Sequence, residues 1–268
     1  MHIRSLTSSD IPYTATLSAD NALLDDELFA YICPHRQNHY PSFRAGFVRR
    51  AKIYLSTPGF VSYVAVTDDG DGGPGVKGGE VVGVARWERK GDGVDARRWR
   101  KKNEGLWCKL ETTLLSLESH YTTLLHLDKS VSPSNLTSFL RRTSHIFPAS
   151  VFPELWFLDA LVVSQHWHRR GIGAQLLKWG LETAASEGVP VGLEASRMGE
   201  GLYRKFGFRT LEMVEWQEGV WSPVMLWEPE VGKGLPIIPG ELVGEIEGSD
   251  NDFLEAFCEE SIDRSIGT

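Results

Sequence analysis

The run Val162-Val163-Ser164-Gln165-His166-Trp167-His168-Arg169-Arg170-Gly171-Ile172-Gly173-Ala174-Gln175-Leu176-Leu177 sets a basic loop and two glycines between an apolar stretch and a helical one. The first amides of such a helix, at Ile172, Gly173 and Ala174, have no internal partner and sit at the positive end of the helix dipole. Glycine lets the backbone come close to a ligand. A pyrophosphate fits a site of this kind, and Arg169 and Arg170 place further positive charge beside it. The glycines alone leave a second reading open, a crowded strand–helix crossing. The third glycine of a dinucleotide fingerprint and the lysine of a P-loop are both missing.

Other residues have types that could do chemistry. Asp159 interrupts the apolar run Leu155 to Val163, so its burial needs a reason. A buried carboxylate with a raised pKa could act as a base near neutrality, and Glu194 on the next predicted strand is a second candidate. The competing reading makes Asp159 a structural carboxylate bonded to backbone or to an arginine. His35 and His39 are four apart but lack the glutamate of H-E-x-x-H, and His166 and His168 merely flank Trp167, so no metal site is expected.

The elements that must position these residues follow from periodicity and punctuation. A short strand is predicted from Ile3 to Leu6. Helices follow near Ile11 to Ala19, Asp25 to Ile32 and Ser42 to Leu55. Phe60 to Val66 and Glu80 to Trp87 read as a hairpin with an enlarged, glycine-rich loop. Leu155 to Val163 suits a central strand buried on both faces. Beyond it come a helix from Gly171 to Ser186, a strand from Pro190 to Leu193, a short helix from Glu200 to Phe206, and strands from Arg209 to Val214 and near Val220 to Trp227. Residues from about 90 to 150 interrupt this order. There the basic run Arg97 to Lys102 reads as a solvated helix face or loop. Leu110, Leu114, Leu117, Tyr121 and Leu124 predict an amphipathic helix packed on the domain, with a partner-binding or lid helix as the lesser alternative. The whole is an α/β (α+β) sheet with flanking helices, in a domain spanning 1–230. An acidic extension of modest apolar content follows at 231–268, and its composition fits partial disorder.

Composition narrows the function classes. The net charge of −8 over 268 residues does not suggest general nucleic-acid binding, which needs a basic face. No apolar run approaches a membrane span, and the first residues lack the apolar core of a signal peptide. Cys33, Cys108 and Cys258 are too few and too scattered for a disulfide framework or zinc cluster. A reducing compartment, cytoplasm or nucleus, is the expectation.

Taken together, His168-Arg169-Arg170-Gly171-Ile172-Gly173 and Tyr203-Arg204-Lys205-Phe206-Gly207-Phe208 resemble two motifs of the GNAT superfamily of acetyltransferases, Q/R-x-x-G-x-G/A and Y-x-x-x-G-F, in the family's order and spacing. His168 departs from the family's Gln or Arg. The resemblance is strong from about Leu155 to Val214 and weaker for Ile3 to Trp87.

It implies a mostly antiparallel sheet splayed at its central strand pair. It also implies acetyl-CoA as cosubstrate, an amine acceptor (small molecule or peptide), and direct attack on the thioester. By motif position, backbone groups of Leu161, Val162 and Val163 pair with the pantetheine arm, and residues 168–174 hold the pyrophosphate. Tyr203 matches the tyrosine that protonates the leaving thiolate. Ser196 stands where many members contact the cofactor, or it caps the helix carrying Tyr203. A CoA-binding module without catalysis and a longer-chain acyltransferase are the alternatives. Monomer or homodimer stays open.

Overall fold

Alternating β-branched and aromatic residues build the sheet, and the order in which its strands pair sets the site. The computed structural model describes residues 1–229, apart from 25, 74, 76, 102–104 and 126, with only the backbone at 123 and 124. The acidic extension at 231–268 lies outside the described residues. Seven strands run in chain order as β1 (His2–Ser5), β2 (Phe60–Val66), β3 (Val81–Lys90), β4 (Leu155–Val163), β5 (Val191–Glu194), β6 (Arg209–Gln217) and β7 (Val220–Trp227). Their spatial order is β1-β2-β3-β4-β5-β7-β6. Every neighbouring pair is antiparallel except β4 with β5, which is parallel.

Among the described residues eight α-helices accompany the sheet: α1 (Ile11–Leu23), α2 (Glu27–Ile32), α3 (Tyr40–Ser56), α4 (Val94–Lys101), α5 (Leu106–Leu124), α6 (Pro133–Thr143), α7 (Ile172–Glu187) and α8 (Glu200–Lys205). The predicted β2, β4 and β7 agree with the observed bounds, and the other predicted elements differ by a few residues at their ends. One face of the sheet packs on α7 through Val82, Ala85, Trp87, Trp156, Leu158, Leu176 and Leu177. The opposite face packs on α1 and α3 through Val64, Val66, Val84, Ile11 and Leu17. A third cluster joins Phe147 and Leu155 to Val224 and Leu226 at the β5–β7 side.

The 90–150 segment is helical. In α4, Arg97 and Arg98 are exposed as expected, while Trp99 turns inward and donates from Nε1 to Glu187 at 2.7 Å. Buried Arg89 reaches the same carboxylate at 2.8 Å, and Trp156 donates to it at 3.1 Å. One carboxylate thus pins α4 and β3 to the end of α7.

The expectation for α5 needs correction. Leu110, Leu114, Leu117 and Tyr121 do share a face, but that face is exposed. The helix instead turns Leu115, Ser119 and Thr122 inward and meets α3 through Glu111 and Ser56, 2.8 Å apart. Its buried and half-buried hydroxyls bond back to the helix's own carbonyls, Thr112 to Cys108 and Thr122 to Glu118. Their burial therefore leaves no orphaned donor.

Candidate active site

The parallel pair β4–β5 is where the sheet opens. The two strands pair only at Trp156 with Val191 and Phe157 with Gly192. Beyond that point β4 stays with β3 up to Val163, while β5 stays with β7 up to Glu194. A wedge is left, with the β5-facing edge of residues 158–163 on one side. Within β4, Arg86 faces Ala160 and Trp87 faces Leu158, so Asp159 is an extra residue with no partner in register. A bulge of this kind bends a strand and re-aims its side chains. It lies two residues past the last β4–β5 pair, where the wedge begins.

The helix amino terminus lies alongside. Gly171 precedes α7 at φ +79°, a left-handed conformation that a side chain would strain, and its Cβ position is open space. Gln175 donates to the Gly171 carbonyl, so the amides of Ile172, Gly173 and Ala174 come before the first intrahelical bond. A Cβ at Gly173 would stand 3.5 Å from Leu202, 3.7 Å from Val163 and 4.0 Å from Leu161. Gly173 therefore keeps a cradle free between α7, the end of β4 and α8. The cradle is lined by backbone donors at a positive helix end, which suits the diphosphate of an acyl-CoA.

The loop residues divide by what they touch. The His168 ring bonds through Nε2 to the Val163 carbonyl at 2.9 Å. A carbonyl only accepts, so Nε2 carries the hydrogen. His168 thus ties the loop to the end of β4, and that nitrogen is not free for a ligand. Arg169 is exposed at φ +60°. The exposed Arg170 stacks over the buried Trp167, 4.6 Å from its ring centre. Ile172 points into the core, which leaves only its backbone for binding. Leu161 and Val163 pack their side chains on the α7-side core, and Val162 packs on the opposite one.

Tyr203 belongs to the α7-side core at 7% exposure, edge-on to Phe208 at 5.7 Å. Burial pushes its phenol up to about 12. No described residue bonds its hydroxyl, yet that oxygen is not among the sealed polar atoms, so it keeps contact with solvent. Ser196 Oγ accepts from the Gly199 amide at 3.2 Å and so braces the turn before α8, whose own N-cap position is Gly199.

For Asp159 the sequence leaves two readings open, a buried base and a carboxylate bonded to backbone or to an arginine. Asp159 is about one-quarter exposed and is held by the Arg86 Nε–H. The structural reading, a carboxylate bonded to an arginine, is the one the geometry realises. Glu194, at the end of β5, has no ion-pair partner among the described residues. Burial raises its pKa, and the neighbouring Ser222 opposes the rise. Sequence reasoning missed Tyr54, whose ring lies under Arg86 at 4.1 Å, and Arg50, one turn earlier on α3. Both stand at ordinary amphipathic-helix positions, so no local pattern marks them. Among the described residues, no group of His, Cys, Asp and Glu could hold a metal ion, and no helix is long and apolar enough to cross a membrane.

The comparisons agree with this geometry. Residues 140–210 match the model of the acetyltransferase (GNAT) domain. No curated protein sequence matches the chain. Among solved structures, one described as histone acetyltransferase HPA2 and related acetyltransferase from Corynebacterium glutamicum aligns with a TM-score of 0.56 at 20% identity, over 87% of this chain and 98% of that one. The NAA60 of Arabidopsis thaliana, solved with a bisubstrate analogue, aligns at 0.44 and 14% identity over 85% and 98%. A polyamine N-acetyltransferase from Drosophila melanogaster aligns at 0.46 and 15% over 85% and 99%. Residues 140–210, which hold both motifs, are thus similar to the acetyltransferase (GNAT) domain, in a sheet whose order and parted central strands are as expected for that family.

Proposed function

We propose that the protein is an acetyl-CoA-dependent N-acetyltransferase acting by direct transfer to an amine. The observation that carries the reading is the pair of features at the end of β4, its backbone unpaired with β5 beyond Phe157 and the open amides of α7; the solvent-reaching hydroxyl of Tyr203 supports it.

Amides 172–174, with Arg169 and Arg170 nearby, hold the diphosphate of the cosubstrate. Backbone groups of Leu161, Val162 and Val163 take the pantetheine arm. Glu194 takes a proton from the ammonium form of the acceptor, since only the free amine has a lone pair. Its burial-raised pKa suits that task better than a carboxylate already committed to Arg86. The amine nitrogen attacks the thioester carbonyl carbon, and a β4 amide stabilises the oxyanion that develops. The C–S bond then breaks, and Tyr203 gives its hydroxyl proton to the departing sulfur. A phenol shifted upward by burial remains protonated at neutral pH.

Thiol release from acetyl-CoA in the presence of mixed amines tests the reading. Turnover with at least one amine is expected. Tight acetyl-CoA binding with no turnover would leave a CoA-binding module. Faster release from longer acyl-CoA thioesters would replace acetyl by a longer acyl group.

A further inference from the structure

Arg50 and Tyr54 are one turn apart on α3 and leave it on one face. That face meets the β3–β4 bulge: the Arg86 guanidinium lies over the Tyr54 ring at 4.1 Å, and Arg86 in turn holds Asp159. The Arg50 guanidinium carbon stands 4.5 Å from the Phe47 ring centre and 5.5 Å from that of Phe29. Aromatic rings occupy the faces of a guanidinium, whereas its five N–H donors point outward in its plane. Among the described residues no oxygen accepts from Arg50, and none bonds the Tyr54 hydroxyl. Neither group is among the sealed polar atoms, so both reach solvent from half-buried positions. The local charges complete the picture. Asp159 answers Arg86, and Glu88 lies 3.5 Å from Lys90, while Arg50 has no ion-pair partner among the described residues, feeling Asp159 only at longer range. Burial lowers the pKa of Arg50, and an incoming anion would offset that cost.

The geometry points to Arg50 and Tyr54 as a binding site for a carboxylate carried by the amine acceptor, which makes the acceptor an amino acid or another carboxyl-bearing amine. One free guanidinium edge with one phenol hydroxyl matches the planar pair of carboxylate oxygens. A phosphate dianion would call for a second free cation. A polyamine would bring a second ammonium toward an arginine that lacks a direct ion pair. The word acceptor rests on the acetyl-transfer reading above; the anion site itself does not.

Two measurements on the full chain test this. First, at saturating acetyl-CoA, thiol release is followed with amines that differ only by a carboxylate: lysine against 1,5-diaminopentane, phenylalanine against 2-phenylethylamine, and 4-aminobutanoate against butylamine. In at least one pair the acid is expected to show a kcat/KM higher by about 10-fold or more, the scale of a hydrogen bond to a charged group. Arg50→Met should abolish that preference through KM and leave acetyl-CoA affinity unchanged, Tyr54→Phe should reduce it, and Arg50→Lys should restore part of it. Equal or reversed preference in the wild-type protein in every pair, or a preference that survives Arg50→Met, overturns the proposal.

Second, the CoA-saturated protein is titrated calorimetrically with N-acetylphenylalanine and with N-acetyl-2-phenylethylamine. Binding of the acid alone, lost in Arg50→Met, supports the site even where no amine is turned over, an outcome that would remove only the acetyl-transfer reading. Binding of neither compound, in the absence of turnover, overturns the anion site.

Discussion

At the scale of single residues, the site depends on what a side chain would fill and on which groups stay unpaired. Gly173→Ala adds a methyl at ordinary contact distances from Leu202 and Val163, so the fold is retained while the cradle is partly filled. Gly173→Glu adds bulk and negative charge where the proposed diphosphate would sit. We expect it to weaken acetyl-CoA binding at least about 100-fold, about 2.8 kcal/mol, with the alanine variant between it and wild type. Calorimetric titration checks both, and unchanged affinity in the glutamate variant would displace the diphosphate from α7. Tyr203→Phe is expected to lower kcat by about 10²–10⁴-fold with little change in cofactor affinity. Because burial moves this phenol up to about 12, the fall in rate from its loss of the proton is expected well above the ordinary phenol range. Glu194→Gln is expected to remove the acidic limb of the kcat/KM profile. Its sign in stability is fixed by burial: the folded-state pKa lies above the unfolded value, so the wild-type protein loses stability as pH rises through that window. The glutamine variant lacks this loss, and melting temperatures measured from pH 4 to 7 would show it.

At the scale of elements, the bulge and α5 show how neighbours override local pattern. One extra residue in β4 turns Asp159 toward Arg86, and the strand that loses its β5 partner is also the one that bends. In α5 the leucine stripe is real but faces outward. Leu114 is 57% exposed and the adjacent Leu115 is 8% exposed. Leu115→Ala should therefore destabilise the protein by about 2–4 kcal/mol, whereas Leu114→Ala should stay within about 0.5 kcal/mol. Denaturant unfolding compares them, and a larger loss at Leu114 would mean that the outward stripe is covered in solution.

At the scale of the whole molecule, charge and core are separable. Residues 230–268 hold ten of the 36 acidic and two of the 28 basic residues, so this segment alone accounts for the net charge of −8. Every residue of the packed clusters lies within 1–227. A chain ending at Pro229 should melt within about 3 °C of the full chain, the equivalent of about 1 kcal/mol or less. It should also be less soluble near pH 7, where its formal charge falls to zero. A drop of 10 °C or more would give the acidic segment a structural role.

The sequence by itself determined the strands β2, β4 and β7, the helix opened by Gly171, and the two motifs that mark the superfamily. Each of these is written in contiguous residues, as a hydrophobic period, a punctuating glycine or a fixed spacing. It could not decide which carboxylate is free, because the choice between Asp159 and Glu194 turns on Arg86, which lies 73 positions from Asp159 along the chain. It could not decide which face of α5 is buried, since period identifies a helix but not its neighbour. Nor could it single out Arg50 and Tyr54, which acquire meaning only where α3 meets Arg86 beside the bulge. Pairing between distant segments assigns partners to charges, and only the folded chain fixes which groups are left without one.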